Sequence, residues 1–143
     1  MKMIRLLVAI ALLVPFFAGN AQTGNKEKSI NGTIEAYYFH FTTRCVTCRT
    51  VEERAKENIG DLYPEQVKAG TITFQAANLN DETGEILAKK LGVSGQTLLL
   101  VKGSKQVNLT NEAFLYAVTN PDKYKKIIKD TAYKHNIPLK GVS

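Results

Sequence analysis

Cysteine, histidine and tryptophan are scarce in this sequence, and their scarcity argues against several classes of site. Two cysteines, two histidines and no tryptophan occur among 143 residues. A structural zinc site takes four ligands, so it would need both cysteines together with His40 and His135. Covalent haem attachment needs a histidine directly after the second cysteine, where this sequence has Arg49. We therefore expect neither haem nor a resident metal ion.

Dense positive charge and glycine-rich segments are also missing. The formal net charge is only +6. Nucleic-acid binding needs a dense basic stripe, so we expect no nucleic-acid partner. No glycine-rich phosphate-binding segment occurs, so a flavin is not expected either. The lysines near the C-terminus are typical of a solvated helix face: Lys123, Lys125, Lys126, Lys129, Lys134 and Lys140.

The longest hydrophobic run lies at the N-terminus and is short. Lys2 and Arg5 precede an apolar stretch at residues 6–18, and small residues follow at 19–21. This pattern is typical of a secretory signal peptide. The run is well below the roughly 20 residues of a membrane-spanning helix. We predict that residues 1–21 are cleaved, that the mature chain has no transmembrane segment, and that it is periplasmic or secreted. An uncleaved N-terminal anchor is the alternative.

The remaining chain is predicted to form one domain, as its length favours. Residues 22–32 are polar and form a flexible leader, residues 33–136 form the domain, and residues 137–143 form a tail. The predicted order of elements is strand, helix, strand, helix, strand, strand, helix. Such an order implies a mixed sheet covered by helices. The strands are predicted at residues 34–41, 71–79, 96–102 and 105–109, and the helices at about 48–62, 82–91, 111–118 and 121–135; residues 61–70 are an extra helical turn or a loop.

The first long helix carries a clear buried stripe. Apolar residues recur every three or four positions, as expected of an amphipathic helix: Cys48, Val51, Ala55, Ile59 and Leu62. We assign Glu52 and its charged neighbours to the opposite, solvated face. Thr42 and Thr43 are expected to supply the side-chain caps of this helix.

Cys45 and Cys48 lie three residues apart at the start of that helix. Free amides and the helix dipole favour an anion there, so we predict a lowered thiol pKa. Arg44 and Arg49 flank the pair and should act in the same direction. We assign Cys45 as the nucleophile and Cys48 as the resolving cysteine of thiol–disulfide exchange. The redox-active disulfide Cys45–Cys48 would be the only redox centre required.

A strand followed by C-x-x-C, a helix and a strand–helix–hairpin–helix tail resembles the thioredoxin superfamily. The segment from Ser94 to Gly103 is similar to the thioredoxin segment facing the dithiol. Residues 37–41 and 44–48 resemble exported bacterial ArsF-type proteins, also labelled nitrophenyl compound nitroreductase subunits. The resemblance implies a thioredoxin-like α/β fold with a central mixed four-stranded sheet flanked by helices. It also implies that Gln96 and Thr97 face the dithiol, and that the partner is a protein dithiol or disulfide, with a membrane-bound reductase as one candidate. We carry over no nitroreductase activity.

Three features depart from ordinary thioredoxins. Gln96 stands where the superfamily has a cis-proline, and a cis bond before any other residue costs about 2.5–4 kcal/mol, so we expect a trans bond. The Val46–Thr47 pair between the cysteines matches neither reducing nor strongly oxidising relatives. The first strand carries Phe39 and Phe41 in place of a buried acid and a tryptophan, and no replacement proton acceptor for Cys48 is evident. The sequence therefore assigns no redox direction.

Thiol–disulfide exchange or electron transfer by an exported protein is the leading hypothesis, and two alternatives remain open. The same two thiolates could bind a soft ion such as Cu(I) or As(III), which needs no other ligand type. The domain could also be a redox-inactive module that binds a partner. His40 is interpreted as a packed strand residue, with a catalytic base as the less favoured role.

Overall fold

The computed structural model describes residues 32–134. The predicted signal peptide at residues 1–21, most of the leader, the tail at residues 137–143 and His135 lie outside this part of the chain. The elements in chain order are β1 (Ile34–His40), α1 (Val46–Leu62), α2 (Pro64–Lys68), β2 (Ile72–Asn78), α3 (Glu82–Leu91), β3 (Thr97–Lys102), β4 (Lys105–Asn108), α4 (Thr110–Tyr116) and α5 (Pro121–Lys134).

The four strands form one mixed sheet with the order β2-β1-β3-β4. β1 pairs in parallel with β2, which requires a crossover connection, and α1 and α2 supply it. β1 pairs antiparallel with β3, and β3 pairs antiparallel with β4. The hairpin between β3 and β4 turns at Gly103, whose φ of 59° is a conformation that glycine adopts without strain. The predicted central four-stranded sheet is confirmed.

Helices cover both faces of the sheet, so the core has two parts. On one face Tyr38 packs with the buried sides of α1, α4 and α5. On the other face Tyr37 and Phe39 pack against α3. β3 is buried along almost its whole length, as its continuous apolar run predicts. Among residues 32–134, none of the helices combines the length and apolar character that crossing a bilayer requires.

The helix predictions are confirmed, with shifted ends. α1 buries Cys48, Val51, Ala55 and Ile59, as the stripe predicts. The segment left open at residues 61–70 contains α2, a short helix with a proline in its first turn. α3 ends at Gly92, whose φ of 69° closes the helix in the left-handed conformation. α4 begins one residue earlier than predicted, and β1 ends one residue earlier.

The predicted cap of α1 is wrong. Cys45 is the residue that caps the helix, and its Sγ accepts a hydrogen bond from the Cys48 amide at 3.2 Å. Thr42 instead joins the end of β1 to the end of β2: its amide donates to Asn80 Oδ1 at 2.9 Å, and its Oγ1 accepts from Asn78 Nδ2 at 2.9 Å. These bonds fix the loop that leads into α1 three residues before the first cysteine.

Candidate redox-active site

The two cysteines form a disulfide at the N-terminal end of α1. Their Cα atoms are 5.2 Å apart, within the usual range for a disulfide. Cys45 is exposed, whereas Cys48 is buried with 7% of its surface accessible. A partner sulfur can therefore reach Cys45 from solvent but cannot easily reach Cys48. This asymmetry is what the assigned roles of nucleophile and resolving cysteine require.

The backbone at the start of α1 favours negative charge on the Cys45 sulfur. The Cys48 amide points at this sulfur, and the first turn of α1 contains no acidic residue. A helix N-terminus carries partial positive charge, and sites of this kind stabilise a thiolate. Arg49 is exposed on the first turn, close in sequence to both sulfurs. Its role as a residue that tunes the thiol pKa stays a prediction.

Arg44 forms an ion pair with Glu52, a residue that the sequence analysis assigned to the solvated face of α1. Its guanidinium donates a hydrogen bond to the carboxylate of Glu52 and forms an ion pair with it. The Arg44 and Glu52 side chains are 25% and 23% exposed, so this is not a fully solvated pair. The assignment of Glu52 to the solvated face was wrong. The missed signal was spacing, because Glu52 follows Cys48 by four residues and such residues share a helix face.

A buried tyrosine connects the dithiol to the sheet. Tyr38 in β1 is completely buried, and its hydroxyl donates to the carbonyl of Cys48 at 2.9 Å. The same hydroxyl accepts a hydrogen bond from Gln96 Nε2 at 2.6 Å. Burial raises the pKa of Tyr38, so the hydroxyl remains protonated and able to donate at neutral pH. The sequence analysis missed Tyr38, which has no recognisable motif.

Gln96 and Thr97, which were predicted to face the dithiol, make different contacts. Gln96 reaches the Cys48 backbone through the hydroxyl of Tyr38. Thr97 is buried at the start of β3, where it pairs with Phe39 and its Oγ1 donates to the Gly95 carbonyl at 2.9 Å. Every peptide bond in residues 32–134 is trans, which confirms the prediction for the Gln96 loop.

His40 is a packed residue at the end of β1. Only 8% of it is exposed, its Nδ1 lies 3.0 Å from the Phe41 carbonyl oxygen, and its ring centroid is 6.2 Å from that of Tyr38. Within residues 32–134, no three His, Cys, Asp or Glu side chains are grouped so as to hold a metal ion. A soft ion bound by Cys45 and Cys48 alone would not need a third such ligand.

Two exposed apolar side chains lie near Cys45 in the sequence. Phe41 and Val46, on either side of Cys45 in the sequence, are 43% and 73% exposed. An open groove of about 380 Å³ continues from Phe41 along α3 and is lined by Leu79, Val93 and polar neighbours.

No protein-family model and no curated protein matches the sequence. Among solved structures, the chain is similar to oxidized thioredoxin O2 from Arabidopsis thaliana, with 17% identity, 69% of this chain and 75% of that chain covered, and a TM-score of 0.45. It is also similar to Fasciola hepatica thioredoxin, with 15% identity, coverage of 75% and 85%, and a TM-score of 0.46. A malarial protein aligns with 19% identity, coverage of 68% and 96%, and a TM-score of 0.43.

The fold itself is thioredoxin-like. The strand order β2-β1-β3-β4, the parallel β1–β2 pair, the antiparallel hairpin and the flanking helices are those expected for this α/β fold. The dithiol lies where the resemblance places it, between the first strand and the first helix. Fold and site together define a thioredoxin-like domain with a C-x-x-C disulfide.

Proposed function

We propose that this protein is an exported thiol–disulfide oxidoreductase or electron-transfer protein that works through Cys45 and Cys48. One observation carries the proposal: an exposed sulfur caps a helix and is bonded to a buried sulfur three residues later. A disulfide closing so short a loop contributes less to stability than a long-range one. Its position at an accessible helix N-terminus suits exchange chemistry.

The exchange proceeds in two balanced steps. The Cys45 thiolate attacks a partner disulfide, one partner sulfur leaves as a thiolate and takes up a proton, and a mixed disulfide joins Cys45 to the other. Cys48 then loses its proton and attacks the Cys45 sulfur, which forms the intramolecular disulfide and releases the second partner thiolate. Two electrons pass from the protein dithiol to the partner. The reverse sequence oxidises a partner dithiol, and neither direction requires another cofactor.

The proposal includes the cellular setting. Residues 1–21 would direct export, and residues 33–136 would then act as one domain in an oxidising compartment. The partner would be a protein dithiol or disulfide, and a membrane-bound reductase is one candidate for returning the dithiol to its starting state. The similarity of residues 37–41 and 44–48 to exported ArsF-type proteins supports this setting. The nitroreductase label of that group is not part of the proposal.

The test combines a glutathione redox titration with metal analysis of the same reduced, purified protein. A reversible two-electron midpoint without bound metal supports the proposal. Copper or arsenite held stoichiometrically by both sulfurs would support the soft-metal alternative instead. Cys48→Ser should accumulate mixed disulfides with partner proteins through Cys45, whereas the matched control Cys45→Ser should not. Trapping through neither sulfur, together with no midpoint, would favour a redox-inactive binding module.

A further inference from the structure

An ion pair joins the residue before the first cysteine to a residue in the second turn of α1. Arg44 directly precedes the nucleophile, and its guanidinium reaches Glu52, two turns into the helix. Cys48 and Glu52 are four residues apart in α1 and so are neighbours on one helix face, and Cys45 caps the same helix. The carboxylate therefore lies on the side of α1 that carries Cys48, and its partner Arg44 directly precedes Cys45.

Both charges act on the hydroxyl of Tyr38, which is bonded to the backbone of Cys48. This hydroxyl donates to the carbonyl of Cys48, and the negative charge of Glu52 and the positive charge of Arg44 act on it with opposite sign. Both charged side chains are about three-quarters buried. Salt screens such charges less than it screens fully exposed ones, so their effect should persist at physiological ionic strength.

The other ionisable groups around this pair are identifiable. Tyr38 in β1 is acted on by both charges, the His40 ring lies 6.2 Å from the Tyr38 ring, and Tyr124 on α5 is close enough to Tyr38 for the two to interact. Burial raises the pKa of both tyrosines, so both are neutral near pH 7. On α1, Lys56 follows Glu52 by one turn and is exposed, and Arg49 is also exposed. Arg54 is a further partly buried charge on α1, two residues after Glu52. Arg44 and Glu52 are the two charges that act on the Tyr38 hydroxyl.

We propose that Glu52 tunes the reduction potential of the Cys45–Cys48 dithiol by holding Arg44 and by adding its own negative charge. Both effects disfavour the Cys45 thiolate, because the arginine is partly neutralised and the carboxylate repels the sulfur anion. A less stable thiolate makes the reduced protein less stable, so Glu52 makes the dithiol a stronger reductant. This role rests on the proposed exchange function, and Glu52 acts through electrostatics rather than by contacting the partner.

The test compares Glu52→Gln with Glu53→Gln. Glu53 is exposed on the same turn, so its substitution removes the same charge from the same helix without touching Arg44. The first measurement is the pH dependence of Cys45 alkylation in the reduced protein. We expect Glu52→Gln to lower the pKa of Cys45 by about half a unit, the size expected for one partly screened charge. Glu53→Gln should leave this pKa nearly unchanged.

The second measurement is the equilibrium with glutathione. Glu52→Gln should shift it about threefold toward the reduced protein, equivalent to a potential about 14 mV higher. Arg44→Gln should shift both measurements in the opposite direction. In the double variant the two effects should not add, because each substitution removes the partner of the other. Since Arg44→Gln tests the pair from its other end, the inference does not depend on one variant folding.

Equal shifts in Glu52→Gln and Glu53→Gln would overturn the role of Glu52, and additive shifts in the double variant would overturn its action through Arg44. If the protein does not carry out thiol–disulfide exchange at all, the experiment gives a different result. In that case the wild-type protein does not equilibrate with glutathione, while alkylation still reports whether the pKa of Cys45 depends on Glu52.

Discussion

Replacement of Tyr38 by phenylalanine tests whether the buried hydroxyl supports the dithiol. The hydroxyl is enclosed and makes two hydrogen bonds, one donated to the carbonyl of Cys48 at 2.9 Å and one accepted from Gln96 at 2.6 Å. Tyr38→Phe keeps the ring and removes only this oxygen. The Cys48 carbonyl and the Gln96 amide both lose a partner.

The expected cost follows from the two hydrogen bonds that are lost. A lost intramolecular hydrogen bond costs about 0.5–1.5 kcal/mol, and leaving a buried polar group unpaired costs about 1–3 kcal/mol. Gln96 is only half-buried, so its amide can bond water, and the Cys48 carbonyl still accepts the helical hydrogen bond from the residue-52 amide. The cost is therefore that of the two lost bonds, at about 1 kcal/mol each. We therefore expect Tyr38→Phe to lower the free energy of unfolding by about 2 kcal/mol.

Urea denaturation of the oxidised protein measures this difference, and Tyr63→Phe is the matched control. Tyr63 is buried to a similar extent, but its hydroxyl makes only a long 3.4 Å bond to the Lys129 carbonyl. Loss of that bond should cost less than 1 kcal/mol. If Tyr38→Phe destabilised the protein no more than Tyr63→Phe does, the hydroxyl would not be a structural support of the site.

Three further predictions concern other parts of the molecule. Gly84→Ala should destabilise the protein by about 1–3 kcal/mol in thermal or urea unfolding, because the added Cβ would overlap the Asn78 carbonyl; Gly60→Ala, where nothing lies nearby, is the control. Burial raises the pKa of Tyr63 to about 12 from 10.0. Stability should therefore be intact below pH 10 and fall as pH rises from 10 to 12, because the unfolded chain ionises first; Tyr63→Phe should reduce this fall. Thr42→Val should lower stability by about 1 kcal/mol by removing the hydroxyl that accepts from Asn78, and no change would contradict that bond.

The periodic spacing of apolar residues made most of the fold predictable from the sequence. The stripe from Cys48 to Ile59 and the apolar run of β3 are buried as their spacing indicates. The dithiol was also predictable, because C-x-x-C at the start of a helical stripe is a local pattern. The sequence left residues 61–70 open as a helical turn or a loop, and there Pro64 begins a short helix, none of whose residues is buried, directly after α1.

The surroundings of the dithiol were less predictable, since they depend on contacts between distant residues. Tyr38 and Gln96 are 58 positions apart and meet only because β1 and β3 are neighbours in the sheet. Thr42 was expected to cap α1 because cap preference is a local rule, but Asn78 and Asn80 compete for it from the end of β2. Charged Glu52 was assigned to solvent by residue type, and its ion pair with Arg44 was missed.

Hydrogen bonds around the start of α1 form a framework that does not depend on the disulfide. The start of α1 is attached to three separate elements: Thr42 ties its entry loop to the end of β2, Tyr38 bonds the Cys48 carbonyl from β1, and Gln96 bonds Tyr38 from the loop before β3. None of these bonds uses a sulfur atom, so breaking the disulfide leaves all of them available. A disulfide closing so short a loop constrains the chain weakly in any case. We therefore expect the framework to hold the two sulfurs close together in both states, as the proposed reversible exchange requires.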